Sequence, residues 1–431
     1  MNTIEKISVT DNIIKLIQSS PYPLWGEPER GLALSSFCKQ GIPNRKHEEY
    51  KYTNIDLILK DEFVLNAAKL VVDKQIKSSK ILTNSFVAVV VNGIFSPELS
   101  ELQNLPKGLT INSLADAAKT QAAIFNLHFG KYADINSDTF IALNTATAKD
   151  GVFIHVAKGA IIEKPIHILH IASANVNTII HPRNLIVVDE NAQAKIIESF
   201  ETIDSTAKIF SNALTEITVA KNTVVEHYKI QDENEAGFLM NTLQINQQDN
   251  SVFTTNTITL SGSLVRNNLN IVLDGEHIES NLNGLYLTRD HQLVDNHTLV
   301  DHRKPNCNSN ELYKGIIDEK STATFNGKIF VRKDAQKTNA FQSNKNILLS
   351  DDGSINTKPQ LEIYADDVKC SHGTSTGKLD ADKIFYLRAR GISELSAKKL
   401  LMHAFASEVI DTIKIDELRD YVEGKVALRF E

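Results

Sequence analysis

The feature that most constrains this fold is a long central region that reads almost entirely as short β-strands. It runs from about residue 140 to about residue 365, and segments such as residues 166–171 and 268–273 are typical. They are rich in β-branched residues and roughly alternate between apolar and polar positions. No apolar stripe of helical length interrupts them, which excludes a fold built from alternating strands and helices.

Turn signals divide this region into similar units of imperfect period, which becomes irregular between Gly275 and Asp318. Such units bury an apolar face only when each stacks on a neighbour, which predicts a solenoid. We predict a right-handed parallel β-helix, with a β-sandwich as the alternative because its turns are also regularly spaced. The turn signals are Asp189-Glu190-Asn191, Lys221-Asn222, Asp249-Asn250, Asp274-Gly275, Asp318-Glu319 and Asp351-Asp352-Gly353.

The flanking regions carry a different pattern. Before residue 80 the periodicity is helical, with Ile13, Ile14, Leu16 and Ile17 on one stripe. A charged, aromatic stretch at residues 45–52 reads as a solvated surface segment. The predicted regions are a helical N-terminal region (1–80), a mixed α/β connecting segment (81–139), the β-helix core (140–378) and a C-terminal helical domain (379–431).

The connecting segment contains one apolar run and one helical run. Residues 86–91 are predicted to form a buried strand, and residues 113–129 are predicted to form a short helix.

Three helices are predicted after the β-helix. Asp380 is placed to cap the first, Gly391 to end it, Ser393 to begin the second and Asp416 to begin the third. Such helices can cap an open solenoid end or dock a partner. In the second helix the predicted apolar face contains Leu400, Leu401, Ala404, Phe405 and Ile410, and in the third the inward residues are Leu418, Tyr421, Val422 and Val426.

Composition and charge exclude several classes of protein. Hydrophobic residues make up 42% and charged residues 23%, as in an ordinary soluble protein. The net charge of −7 argues against a nucleic-acid partner, which would require a basic surface. The longest apolar run has six residues, whereas about twenty are needed to span a bilayer. With no secretory signal at the N-terminus, we expect a soluble cytoplasmic protein with no membrane partner.

The chain contains three cysteines, Cys38, Cys307 and Cys370. They are far apart and odd in number, and no CxxC pair occurs, so a disulfide framework is not expected. Three cysteines cannot supply the four thiolates of an iron–sulfur cluster or zinc site held by this chain alone.

The densest polar constellation surrounds Cys370 and His372. In a strand these two side chains point to the same face, and a thiolate with an imidazole suits iron or zinc. Lys369, one residue earlier, could favour the thiolate. Since a lone Cys-x-His is a weak signal, a purely structural pair is the alternative. Four further histidines lie close together in the sequence, and metal ligation is one hypothesis for them. The alternatives are hydrogen-bonded ladders on the solenoid or solvent exposure. The four are His277, His291, His297 and His302.

Two apparent enzyme motifs fail on inspection. Residues 373–379, GTSTGKL, have three residues between the glycines where a phosphate-binding loop needs four, and Leu379 stands where the magnesium-binding Ser or Thr is required. Asp366 and Asp367 are adjacent in a strand and face opposite sides, so they cannot flank one glycosidic bond.

Taken together, these residues resemble the SufB/SufD family. Tyr50 stands where the family's N-terminal signature usually has Trp, and KCSHG at residues 369–373 is similar to the SufD branch rather than the SufB branch. The segments that carry the resemblance are residues 41–53 (GIPNRKHEEYKYT), 91–100 (VNGIFSPELS), 313–315 with 325–329 (YKG, FNGKI), 366–373 (DDVKCSHG) and 384–392 (IFYLRARGI).

The resemblance implies a right-handed parallel β-helix between helical regions, acting as a non-catalytic scaffold in iron–sulfur cluster assembly. It implies pairing with a SufB-like subunit, docking of a SufC-like ABC-type ATPase on the C-terminal helices, and Cys370 and His372 as candidate ligands at the interface. We expect Leu400, Leu401, Phe405 and Ile410 to bind a partner. No cofactor is expected on the isolated chain, only transient iron or a cluster in the complex.

Other functions and assemblies remain open. The chain could be a SufB-like cluster scaffold itself or a homodimer when isolated. A β-helix polysaccharide-active enzyme is the third reading, which the missing secretory signal and the lack of a suitable carboxylate pair disfavour.

Overall fold

The computed structural model of the chain describes residues 13–15, 25–59, 61–65, 76, 78–203, 205 and 207–429. The helices in this part are α1 (Glu29–Gln40), α2 (Asp56–Leu59), α3 (Leu114–Thr120), α4 (Ala122–His128), α5 (Thr139–Thr147), α6 (Ala381–Ala389), α7 (Glu394–Ile410) and α8 (Asp416–Arg429), and a 3₁₀ turn spans Glu48–Tyr50.

The strands are β1 (Val64–Leu65), β2 (Phe86–Val91), β3 (Ile94–Phe95), β4 (Leu109–Ser113), β5 (Val152–Val156), β6 (Ile166–Ala172), β7 (Thr178–Ile180), β8 (Arg183–Val188), β9 (Gln193–Thr202), β10 (Ile209–Val219), β11 (Val224–Asp232), β12 (Phe238–Gln247), β13 (Val252–Thr259), β14 (Leu264–Leu273), β15 (Glu279–Thr288), β16 (Leu293–His302), β17 (Asn308–Ile317), β18 (Thr322–Val331), β19 (Thr338–Leu348), β20 (Ser354–Ile363) and β21 (Val368–Gly377).

From β8 onward the chain alternates between two sheets. Even-numbered strands form sheet A in the order β20-β18-β16-β14-β12-β10-β8, and odd-numbered strands form sheet B in the order β21-β19-β17-β15-β13-β11-β9. Neighbours are parallel: Phe238 lies opposite Leu264, and Thr322 lies opposite Ser354 after a longer turn of the chain. The predicted parallel β-solenoid with helical terminal regions is therefore confirmed.

The stacked turns explain why polar residues recur at this period. Asn191, Asn222 and Asn250 adopt positive φ angles of 58°, 57° and 56°. Asparagine tolerates this left-handed region better than most residues. The Asn222 N–H donates to the carbonyl oxygen of Asp249 in the next turn at 2.9 Å. Each turn therefore braces the one stacked on it.

The boundaries of the solenoid differ from the sequence-based ones. Residues 140–147, placed in the β-helix core, belong to helix α5, which packs on sheet A. Asn144 Nδ2 donates to the carbonyl oxygens of Pro182 and Asn212 at 2.9 and 2.7 Å. Strand β2, placed in the connecting segment, joins sheet B by parallel pairing with β6. The helical run at 113–129 is two helices, α3 and α4, which meet at Gln121.

Only part of the first predicted helix can be described. Residues 13–15 are helical and Ile13 is buried, whereas Leu16 and Ile17 lie outside the described residues.

The C-terminal helices begin and end where the sequence predicts. The Asp380 carboxylate accepts from the N–H groups of Asp382 and Lys383, and Gly391 has a φ of 87° just after α6. Ser393 accepts from the N–H of Ser396 at the start of α7. In the described part of the chain, no helix is both long and apolar enough to cross a membrane.

Helices α7 and α8 cover a face of the solenoid rather than an end. Met402, Ala406 and Val409 of α7 belong to one buried cluster with Ile258 and Leu285, which lie on the outer face of sheet B. Within the described part of the chain, the end formed by β20 and β21 is left uncovered.

Candidate functional site

The last turn of the solenoid, formed by β20 and β21, is open. Among the described residues, each of these strands pairs with a neighbour on one side only. Every residue of β20 and β21 is at least partly exposed, whereas every residue of β10, in the middle of sheet A, is buried. An unpaired edge of this kind is a template for a further strand. We call this end, residues 354–377, the open end.

The ladder pattern shows which backbone groups the open end offers. The Asn339 N–H donates to the Cys307 carbonyl oxygen, just before β17, at 3.0 Å. Successive residues of a parallel strand bond to opposite sides, so Ala340 bonds to β21. By the same alternation, Cys370, His372 and Thr374 direct their N–H and C=O groups to the free edge. Strand β21 is therefore ready to accept a partner strand.

The corresponding edge of sheet A is interrupted by a proline. The Ser354 N–H donates to the Ser321 carbonyl oxygen at 3.0 Å, so the odd-numbered residues of β20 face the free edge. One of these is Pro359, which has no N–H to donate. Of the two edge strands, β21 is the better hydrogen-bonding surface.

Cys370 faces the interior of the solenoid. Its side chain packs with a cluster that includes Ile329, Val331 and Ala340. It is half-buried, and this burial raises the pKa of the Cys370 thiol. Lys369 is exposed on the opposite face of the strand, so the expectation that it favours the thiolate is not met.

His372 lies two residues further along β21 and therefore on the same inner face as Cys370. It is exposed because no further turn of the described chain covers it. Gln342 lies opposite it in the register of β19 and β21. Among the described residues, no three His, Cys, Asp or Glu side chains converge closely enough to hold a metal ion. The open end thus presents one sulfur and one nitrogen donor, fewer than a metal site needs by itself.

The four histidines between residues 277 and 302 do not converge. His277 and His291 are exposed in turns. His302 is buried, its Nε2 lies 2.9 Å from Ser309 Oγ, and burial lowers its pKa to about 4. His297 belongs to a separate network on the outer face of sheet A.

That network ties the N-terminal signature segment to the solenoid. Buried Arg266 of β14 donates to Asp295 Oδ2 at 2.8 Å, to the Glu49 carbonyl oxygen at 2.7 Å and to Thr53 Oγ1 at 3.0 Å. His297 Nε2 lies 2.9 Å from Asp295 Oδ1. Burial disfavours the charged imidazole, but Asp295 outweighs it and raises the pKa of His297.

The segment at residues 45–52 is exposed, as its composition predicts, except at Tyr50, which anchors it to the solenoid. Tyr50 is 2% exposed, and the Arg266 guanidinium lies over its ring at 4.2 Å. The sequence signal for this contact is Arg266 itself, because an arginine placed within a strand of the solenoid needs a charged or polar partner if it is buried. A cavity of about 350 Å³ borders this network, lined in part by His47 and Lys328.

The predicted partner-binding residues of α7 differ in their exposure. Leu400 is 51% exposed, Leu401 and Phe405 are half-buried, and Ile410 is fully buried. Ile410 therefore holds α7 on the solenoid and offers no surface of its own. Ala404 of the predicted apolar face is exposed, and the residues buried in its place are Ala397, Met402, Ala406 and Val409.

Four large apolar side chains on α6 and the first half of α7 are exposed. Phe385 is 74% exposed, Tyr386 55% and Leu395 61%, beside Leu400. We call Phe385, Tyr386, Leu395 and Leu400 the C-terminal apolar residues. Single side chains elsewhere, such as Leu127 and Leu428, are exposed to a similar extent, so these four are distinguished by their closeness along the chain.

The amino-acid sequence is similar to known proteins along most of the chain. Residues 15–168 match the SufBD protein N-terminal region, and residues 170–405 match the family described as SUF system FeS cluster assembly, SufBD core domain. An iron–sulfur cluster assembly SufBD family protein of Synechocystis is 33% identical over 90% of this chain and 87% of its own length. The iron–sulfur cluster assembly protein SufD of Escherichia coli is 32% identical over 93% and 92%. The chain therefore belongs to the SufBD family and is a SufD-like protein of the SUF system for iron–sulfur cluster assembly.

Proposed function

We propose that this chain is a non-catalytic scaffold subunit that completes its open end with a SufB-like subunit. The observation that carries the proposal is the open end itself, where a free strand edge lies beside two inward-facing donor groups, Cys370 and His372. A solenoid turn left in this state exposes apolar side chains and unpaired backbone groups together. A partner that buries both stabilises it.

A homologous solenoid fits the open end better than other partners. The surface to be covered consists of two strand edges about one sheet separation apart, which a second solenoid end presents in the same arrangement. Inner-face residues Ile355 and Leu361 are half-buried and contact the core clusters, so a matching turn would extend the core across the interface. The free N–H and C=O groups of β21 supply the directional part of the contact.

The cluster is the cargo of this scaffold. Cys370 and His372 provide a sulfur and a nitrogen donor, a pair with affinity for iron. Two donors do not complete the four-coordinate sites of iron–sulfur clusters, so the remaining ligands come from the partner. On this account the isolated chain holds no stable cluster, and the complex holds one transiently.

The ATPase docks on the C-terminal apolar residues. The chain has no phosphate-binding loop of its own, so energy from ATP reaches it only through another subunit. Phe385, Tyr386, Leu395 and Leu400 are the exposed large apolar side chains of α6 and α7. We propose that an ABC-type ATPase of the SufC kind covers them.

Light scattering of an equimolar mixture with a SufB-like subunit tests the pairing. The expected result is one species with the mass of the heterodimer, which forms in preference to a homodimer of this chain. Two separate species, or this chain paired only with itself, would reject the proposal and favour the homodimer.

A second experiment tests ATPase docking with a matched control. The double variant Phe385→Ser/Leu400→Ser should lose co-purification of the ATPase while the heterodimer still forms. Leu428→Ser on α8 removes an apolar side chain that is 63% exposed but lies outside the proposed surface. It should leave ATPase binding unchanged; equal binding by both variants would contradict the docking site.

A further inference from the structure

An inward-facing column of side chains leads from the core of the solenoid to His372. In the register of sheet B, Leu282 lies opposite Glu311, Glu311 opposite Gln342, and Gln342 opposite His372. Glu311 and Gln342 are 5% and 4% exposed. Such polar side chains are rarely buried in a core unless they are bonded to one another or to something else.

One end of the Gln342 amide has a partner and the other does not. Gln342 Nε2 donates to Glu311 Oε2 at 2.7 Å. Burial raises the pKa of Glu311 to about 7, and above that pH its carboxylate can only accept, so this bond fixes which way the amide group points. Gln342 Oε1 is shielded from solvent, and among the described residues it has no hydrogen-bond donor. The next turn on that side is β21, where His372 occupies the matching position.

We propose that Gln342 is a positioning residue for His372. In this structure His372 is exposed and does not donate to Gln342 Oε1. When the ring turns toward the solenoid interior, one ring N–H of His372 donates to Oε1, which selects one tautomer and leaves the other ring nitrogen with a free lone pair. A neutral imidazole binds metal through that lone pair, and the group bonded to its other nitrogen sets the orientation of the ring. Glu311 acts one step further back, by holding the Gln342 amide in the required orientation. This inference rests on the proposed role of His372 at the interface with the partner.

The neighbouring column provides a contrast within the same strand. Asn344, two residues beyond Gln342 on the inner face of β19, lies opposite Thr374. Its Nδ2 donates to Tyr286 Oη at 3.1 Å and to the Tyr313 carbonyl oxygen at 3.2 Å. It is as buried as Gln342 but its bonds point into the core, so it serves as a control for the loss of a buried amide.

The test compares Gln342→Met, Gln342→Glu and Asn344→Leu, with His372→Ala as reference. Two quantities are measured: the tautomer of His372, by ¹⁵N NMR of the histidine-labelled full chain at pH 8, and the cluster yield of the complex with the SufB-like partner. Gln342→Met should convert a single tautomer to a mixture and lower the cluster yield about tenfold, as is typical when a group that orients a ligand is lost. Gln342→Glu should retain the wild-type values, since two carboxyl groups this close share a proton and the second oxygen of the new side chain replaces Oε1.

The outcomes separate this inference from the proposed function. If Gln342→Met keeps the wild-type tautomer, or if Asn344→Leu alters the His372 signal as much as Gln342→Met does, the inference is overturned. Circular dichroism and the mass of the complex must match wild type for each variant. If His372→Ala itself leaves the cluster yield unchanged, the proposed role of His372 fails, whereas the tautomer measurement still decides whether Gln342 orients it.

Discussion

A proline at position 374 should block the partner without harming the monomer. The Thr374 N–H faces the free edge of β21 and makes no bond to β19, so its removal costs the isolated chain no ladder hydrogen bond. Proline already occupies the equivalent kind of position at Pro359 on the other edge strand. In the complex, Thr374→Pro removes one interchain hydrogen bond, and its ring occupies the space of the partner strand.

The magnitude follows from the hydrogen bonds at stake. A net hydrogen bond contributes about 1 kcal/mol, and the ring should also displace the adjacent one, for a loss of about 2 kcal/mol. That corresponds to about a thirtyfold rise in the Kd for the SufB-like partner. The Kd is measured by biolayer interferometry, with Thr374→Ala as the control that keeps the N–H. An unchanged Kd for Thr374→Pro would refute edge pairing, and a lower Tm of the isolated chain would show that the N–H is used within the monomer.

Three further predictions concern the solenoid and its helices. A Cβ at Gly284 would lie 2.2 Å from Cε1 of buried Tyr313, so Gly284→Ala should lower the free energy of unfolding, measured in urea, by about 1–3 kcal/mol. A Cβ at Gly373 has nothing within 4 Å, so the control Gly373→Ala should leave stability unchanged. Burial lowers the pKa of His302 to about 4, so between pH 6.5 and 4 the unfolded state binds a proton that the folded state does not. This group should therefore lower the free energy of unfolding by about 3 kcal/mol as the pH falls through that range. His302→Gln should reduce this loss in acid titrations. Lys314 is 3% exposed, and its ammonium contacts two acceptors of α7, the Phe405 carbonyl oxygen and the Glu408 carboxylate. Lys314→Met removes both contacts, so hydrogen exchange in α7 should become about tenfold faster. Unchanged exchange would show that apolar packing alone holds the helix.

Local patterns predicted the solenoid because its determinants are local. Strand alternation, the asparagines of the stacked turns and the caps at Asp380 and Ser393 each act over a few residues, and the structure has them where the sequence placed them. Cys370 and His372 share a face for the same reason, since alternation in one strand requires it.

The features that sequence missed depend on distant segments. Arg266 donates hydrogen bonds to Glu49 and Thr53, which lie more than two hundred residues earlier in the sequence. No local sequence pattern near residue 49 predicts that contact. The buried face of α7 was misjudged because Leu400 and Met402 are both apolar, and only the position of sheet B decides which is covered. The relation of Gln342 to His372 requires the strand register, which is set by turn lengths that vary from one turn to the next.

The central claim is that an iron–sulfur cluster is assembled where His372 meets a SufB-like partner at the open end. The most direct test is the cluster yield per complex after reconstitution, for wild type and His372→Ala, with circular dichroism and complex mass matched. Ser371→Ala, on the outer face of the same strand, is the control. We predict a clearly lower yield for His372→Ala alone; equal yields for all three complexes would contradict the account.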